Sequence, residues 1–107
     1  MQFEWDERKW QINLKKHRLD FADAGIVFSG VVITILDNRF SYGEDRWFSL
    51  GLLDDVVVAI AHTDRKNHIR IISMRKATKH ESQIYFSQIA KEAGTTFYDE
   101  SESQDGN

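Results

Sequence analysis

The sequence predicts an α+β domain: a mostly antiparallel sheet of about four to five strands with helices packed on it, in the order β-α-α-β-β-β-β-α. Three observations lead there. Residues 31–74 contain β-branched, apolar runs separated only by short polar segments, the signature of consecutive antiparallel strands. Two helical patterns precede that series and one follows it, each opened by a capping residue. Finally, 41% of the 107 residues are hydrophobic and 12% aromatic, enough apolar surface for one modest core.

The elements follow in order. "MQFEWD" alternates Phe3 and Trp5 with polar Gln2, Glu4 and Asp6, a short strand. Asp6 is placed to cap a helix over about 7–16, with Trp10 and Leu14 at i, i+4 and Ile12 nearby. "HRL" breaks it, and Asp20 caps a second, short helix with Asp23 three residues on. Phe21, Ala24, Ile26, Val27 and Phe28 supply its buried side, and Ser29-Gly30 ends it. Strands follow at 31–36 and 46–53, separated by the polar loop 38–45. Asp54-Asp55 marks a tight turn into 56–63, which is apolar on both faces and so predicts a central strand covered on both sides. "DRKN" turns into the last strand, 68–74. Thr78 and Glu81 form a T-x-x-E capping box for a helix to about Ala93, with Ile84, Tyr85, Ile89 and Ala93 as its apolar stripe and Gly94 as its stop. Residues 1–94 thus predict one domain, and 95–107 a disordered acidic tail in which Phe97 and Tyr98 are available to dock.

Several function classes drop out. With no cysteine there is no disulfide and no thiolate metal site, which predicts a reducing cytoplasm. The first ten residues carry acids and bases and do not read as a signal peptide. The longest apolar run, 56–61, is far shorter than the roughly 20 residues a bilayer needs, so no membrane is expected. There is no G-x-x-x-x-G-K, no G-x-G-x-x-G and no G-x-S-x-G, and His62 and His68 lack zinc-ligand spacing. No metal and no cofactor are expected.

Charge is more informative. The formal net charge is −3, but residues 95–107 hold Asp99, Glu100, Glu102 and Asp105 with no Lys or Arg. Residues 1–94 therefore carry 14 bases against 13 acids. Within 62–80, Arg65, Lys66, Arg70, Arg75, Lys76 and Lys79 face a single acid, Asp64. Such a patch suits a polyanionic partner. Cleavage of RNA through its 2′-hydroxyl needs a base, a proton donor and cations around the developing charge, tasks that suit imidazole and guanidinium. Three histidines, His62, His68 and His80, lie in this segment. A histidine at a strand end or in a first helical turn is more often an ordinary surface residue. Lys15, Lys16, His17 and Arg18, at the end of the first helix, equally suit the helix dipole. On residues alone the reading stops at an α+β domain with a basic face.

Five segments taken together resemble the BrnT family, ribonuclease toxins of bacterial type II toxin–antitoxin pairs: "FEWDERK" (3–9), "NLKKHRLDFADAGIVF" (13–28), "YGEDRWFSLGLLDD" (42–55), "VVVAIAHTDR" (56–65) and "IRIISMRKATKHE" (69–81). The family pattern has F-E-W-D, a K-H-G turn, E-x-R-W, a T-E-R turn and I-R-I-I-S-x-R-x-A. The resemblance implies a RelE-like fold, a metal-independent endoribonuclease that inhibits translation, and a cognate BrnA-like, DNA-binding antitoxin through which alone operator DNA is bound. At the matching positions we assign Arg65 and Arg75 to phosphate and transition-state binding and His17 to proton transfer, with His62 as the alternative. Lys16, Arg46, Arg70, Lys76 and Lys79 are assigned to binding the RNA, and Thr63 also matches. Two positions depart from the pattern: Arg18 stands where glycine is usual, and Asp64 where the T-E-R turn has glutamate. Those departures motivate a competing expectation, a non-catalytic RNA- or antitoxin-binding module or corepressor of the same fold. A third is an RNA chaperone or ribosome-associated factor that binds RNA without turnover.

Overall fold

A computed structural model describes residues 1–39 and 43–94. The acidic tail, with Phe97 and Tyr98, and the middle of the 38–45 loop lie outside those residues. The chain runs β1 (Gln2–Trp5), α1 (Glu7–His17), a 3-10 turn (Phe21–Asp23) leading into α2 (Ala24–Ser29), β2 (Ile33–Asp37), β3 (Arg46–Leu53), β4 (Val56–Arg65), β5 (His68–Lys76) and α3 (Lys79–Glu92). The strands form one five-stranded sheet in the order β1-β5-β4-β3-β2. All neighbours are antiparallel except β1 and β5, which pair in parallel from Gln2–His68 to Trp5–Ile71.

Local chemistry explains the element ends. The Asp6 carboxylate accepts from the backbone N–H groups of Arg8 and Lys9 at 2.9 and 3.0 Å, capping α1. Asp20 accepts from the Ala22 N–H and from the Trp10 indole, at 2.9 and 2.7 Å, and these bonds hold its carboxyl below the usual range. The predicted second helix therefore begins as a 3-10 turn. The Asp54-Asp55 turn has positive φ at both residues, 52° and 67°, the twist a two-residue hairpin between Leu53 and Val56 requires. At Thr78 both halves of the capping box are made, and Gly94 follows α3 with φ of 71°. The stripe of α3 differs from expectation: Tyr85 and Ala90 are buried, whereas Ile84 and Ala93 are exposed.

Paired residues on neighbouring strands point to the same side, so the register sorts the sheet into two faces. One face carries Val58 and Ile60 of β4, Leu53 of β3 and Ile69, Ile71 and Met74 of β5, buried against Phe21, Ala24 and Val27. Gly51 lies on this face because α2 crosses it closely: a Cβ there would sit 2.6 Å from Val27 Cγ1 and 3.0 Å from Val32 Cγ1. The second face carries Leu50, Val57 and Ala59 under Tyr85 of α3. Burial on both sides confirms β4 as the central, doubly covered strand, with Val57 to Ile60 all buried.

Two features position the functional side chains. The β4–β5 register slips between Ala61–Ser73 and His62–Ile71, leaving Ile72 as the extra residue of a β-bulge. The bulge shifts the side-chain alternation by one. Ile71 and Met74 can then both enter the core, and Arg70 and Arg75, five residues apart, share the opposite face. The second feature is Asn13, the buried residue of α1. β1 stops at Trp5, opposite Ile71, so β5 loses its strand neighbour beyond that point. The Asn13 carboxamide fills the gap, donating to the Met74 carbonyl at 2.9 Å and accepting from its N–H at 3.1 Å.

Arg18 ends α1 in the left-handed region, φ 59° and ψ 28°, donating its N–H to the Leu14 carbonyl. This conformation explains why glycine suits position 18: any Cβ there is strained by about 1 kcal/mol or more. Relief of that strain, less the cost of the wider unfolded ensemble glycine brings, is expected to make Arg18→Gly more stable by about 0.5–1 kcal/mol. Thermal unfolding would read this as a midpoint raised by a few degrees.

Candidate functional site

The second sheet face divides along its length. At the end nearest the β3–β4 turn, α3 covers it with Tyr85, whose hydroxyl donates to the Val31 carbonyl at 2.8 Å. At the other end, the register brings Arg46 and Phe48 of β3, Ala61, Thr63 and Arg65 of β4, and His68, Arg70, Ser73 and Arg75 of β5 to one surface. Ala61 and Ser73 are paired small residues, so the surface dips between Phe48 and Arg75 on one side and Thr63 and Arg70 on the other.

Each of three arginines here has a carboxylate within 4 Å. Arg75 makes a bidentate pair with Glu81 at 2.8 and 3.0 Å, and its guanidinium lies 5.8 Å from the Phe48 ring centre. Arg65 reaches Glu44 at 3.4 Å, and Arg70 lies 3.8 Å from Glu4, contacts too long and exposed to hold either guanidinium firmly. The Arg75 clasp is tighter. It pulls the Glu81 carboxyl down to about 2, its hydrogen bonds outweighing the opposing cost of burial, and raises the Arg75 guanidinium. Glu81 also accepts from the Thr78 N–H at 2.9 Å, so one carboxylate ties the end of β5 to the start of α3.

Of the residues assigned from sequence, Arg46, Arg65, Arg70 and Arg75 come together on this face. Lys76 pairs with Val58 and so sits on the helix-covered side at the end of β5, exposed. Lys79 is exposed at the first position of α3, and Lys16 is exposed in the last turn of α1. His17, half-buried in the last turn of α1, follows Asn13 by four residues and so shares its helix face.

His62 occupies different ground. It is 2% exposed on the helix-covered face, edge-on to Phe28 at 5.3 Å, and so does not share a surface with Arg65. Its Nδ1 lies 2.9 Å from Asp64 and its Nε2 lies 2.8 Å from the Ser49 hydroxyl, which is 2.8 Å from that of Thr34. Burial pushes the imidazole below its usual value, against the pull of Asp64. Asp64 is thereby committed to His62 and faces away from the arginines. His68 is the imidazole that shares their face; its alternation with Ile69 and Ile71 was the signal for it. His80 is exposed in the first turn of α3. Among the described residues, no three His, Asp or Glu side chains converge as a metal site. Among the same residues, no helix is long and apolar enough to cross a membrane.

Fold and face define a class: a small α+β protein with an arginine-lined open sheet surface, the kind that binds a polyanion. Residues 5–81 match the family described as ribonuclease toxin, BrnT, of the type II toxin–antitoxin system. The match spans well over half of the chain, and the protein belongs to that family. No curated protein matches it.

Proposed function

We propose that this protein is a cytoplasmic, metal-independent endoribonuclease toxin of RelE-like fold that arrests translation and is neutralised by a BrnA-like, DNA-binding antitoxin, which alone brings it to operator DNA. The observation that carries the RNA reading is the bulge at Ile72, which aligns Arg70 and Arg75 on the face that also holds Arg46 and Arg65. A bulge there sacrifices regular pairing, and the gain is a row of guanidiniums on an open surface.

In this reading the 2′-oxygen attacks the adjacent phosphorus and the 5′-oxygen leaves, forming a 2′,3′-cyclic phosphate and a 5′-hydroxyl. Arg75 binds the phosphate whose charge grows in the transition state, and Arg65, paired with His68 roughly 20 Å along the sheet from Arg75, binds a phosphate farther along the RNA. His17, one helical turn after the Asn13 that bonds to β5, moves the proton. Arg46 and Arg70 bind adjoining phosphates, and Lys16, Lys76 and Lys79 contact RNA passing the end of β5.

The purified protein is expected to cut single-stranded RNA in excess EDTA. Arg65→Ala is expected to cut at least tenfold more slowly while unfolding at an unchanged temperature, because its ion pair with Glu44 is long and half exposed. Intact RNA after incubation with folded wild type would overturn the catalytic reading. The engagement of Arg65, Arg70 and Arg75 by Glu44, Glu4 and Glu81 favours a second reading, a non-catalytic binding module. Expression separates them: a toxin halts growth until its antitoxin is supplied, and a module leaves growth unchanged.

A further inference from the structure

The row of cations does not end at Arg70. On β5 the next residue on the same face is His68, directly paired with Arg65 of β4, and beyond it the β4–β5 hairpin turns through Lys66, whose φ is 44°. Beside this turn lies a cleft of about 460 Å³ lined by Met1, Gln2, Lys66, Asn67 and His68. None of those five residues is acidic. This differs from the rest of the face, where each of Arg65, Arg70 and Arg75 has a carboxylate within 4 Å.

We propose that this cleft is a distal phosphate subsite for single-stranded RNA lying along β5, several nucleotides from the bond that is cut. The inference rests on the RNA reading of the arginine face. The spacing supports one strand of nucleic acid. At about 3.3 Å rise per residue, Arg70 and His68 are roughly 6.6 Å apart, and Arg75 and His68 roughly 20 Å apart. Those are the spans of one and of about three backbone steps of an extended single strand, within the footprint of known single-strand sites. His68, Arg70 and Arg75 form one row along β5, which serves one backbone; a duplex presents two. His68 donates a hydrogen bond to a phosphate oxygen, Asn67 and Gln2 supply amide donors, and Lys66 supplies a positive charge beside that of Arg65. The site therefore selects for length: a dinucleotide reaches Arg75 and its neighbours, and a strand of four or more nucleotides also fills the cleft.

The test measures binding of 2′-O-methyl oligonucleotides, which lack the attacking hydroxyl, from two to eight nucleotides long, to wild type and to the double variant Lys66→Gln, His68→Gln. Affinity for wild type is expected to rise until the strand reaches the cleft. The variant is expected to bind dinucleotides as wild type does and longer strands about 3- to 10-fold more weakly. For those longer strands, the slope of log affinity against log salt should fall by about 0.7 for each phosphate the variant no longer neutralises. Equal binding by wild type and variant at every length would overturn the subsite, as would equal weakening at every length. If wild type binds no oligonucleotide of any length, the RNA reading of the face itself fails and the subsite falls with it. Binding by wild type that Arg75→Ala weakens at all lengths, with no effect of the double variant, would keep the face and remove the cleft.

Discussion

Arg75→Ala is expected to slow RNA cleavage at least a hundredfold and to destabilise the protein, whereas Glu81→Gln destabilises it and strengthens RNA binding a few-fold. The opposed effects follow from one ion pair with two duties. Arg75 lies on the open face among the cations assigned to phosphate, and loss of a donor aimed at developing charge typically costs about 10²–10³ in rate. The same guanidinium holds Glu81 through two short bonds, 2.8 and 3.0 Å, and Glu81 closes the capping box of α3. Removing Arg75 leaves a partly buried carboxylate with Thr78 as its remaining partner. Glutamine at 81 keeps the capping box, because its amide oxygen still accepts from the Thr78 N–H, while it releases Arg75 for phosphate.

The same pair makes stability depend on pH. The Glu81 carboxyl sits at about 2 in the folded protein against an ordinary 4.5. Its stabilisation is therefore fully present above pH 4.5 and is lost as pH falls toward 2. For a side chain that is 28% exposed, screening reduces this to on the order of 1–2 kcal/mol. Denaturant unfolding of wild type and Glu81→Gln should differ by about that amount at pH 6 and converge near pH 2. A difference that stays constant over that range would show that the pair is not the source.

Much of this fold can be read from the sequence because its local signals agree with its tertiary demands. Asp6, Asp20 and Thr78 cap where capping residues should, and the Asp54-Asp55 turn sits between two apolar runs. The aligned arginines were not legible. Strict alternation through "HIRIISMRK" puts Arg70 and Arg75 on opposite faces, and nothing about Ile72, flanked by Ile71 and Ser73, marks it as the extra residue of a bulge. Bulges arise from register between strands, which no single segment encodes. Asn13 was hidden for a related reason. A polar residue on a helix reads as solvent-facing, and only the early end of β1 at Trp5 gives its carboxamide a strand edge to satisfy. The apolar exposure of Ile12 and Ile26, at 57% and 59%, has the same origin, since each helix turns another residue inward.

His62 is where sequence and structure diverge most, and its substitution carries a large expected cost. Ser49, His62 and Asp64 repeat the connectivity of a nucleophilic triad, with Nε2 toward the serine and Nδ1 toward the carboxylate. Access decides against that chemistry: Ser49 is 0% exposed beneath α2, and no substrate carbonyl or phosphate reaches its hydroxyl. The arrangement instead satisfies buried polar groups. Neutral His62 donates from Nδ1 to Asp64 and accepts at Nε2 from Ser49, which in turn accepts from Thr34. His62→Ala removes the acceptor of the Ser49 hydroxyl, leaving it only Thr34, and opens a void against Phe28, an expected loss of about 2–4 kcal/mol. At about 4–8 °C per kcal/mol for a domain of this size, the thermal midpoint should fall by about 10 °C or more. The pH dependence has a definite direction. Because burial holds the folded imidazole below its ordinary 6.5, the unfolded chain binds the proton more readily, and stability falls as pH drops below 6.5. Asp64, the charged group in contact with the ring, is 56% exposed and only partly offsets this. His62→Gln, which keeps hydrogen bonding without titrating near neutrality, should lose the decline between pH 7 and 5 while losing less stability than His62→Ala. An unchanged decline in that variant would place its source elsewhere in the molecule.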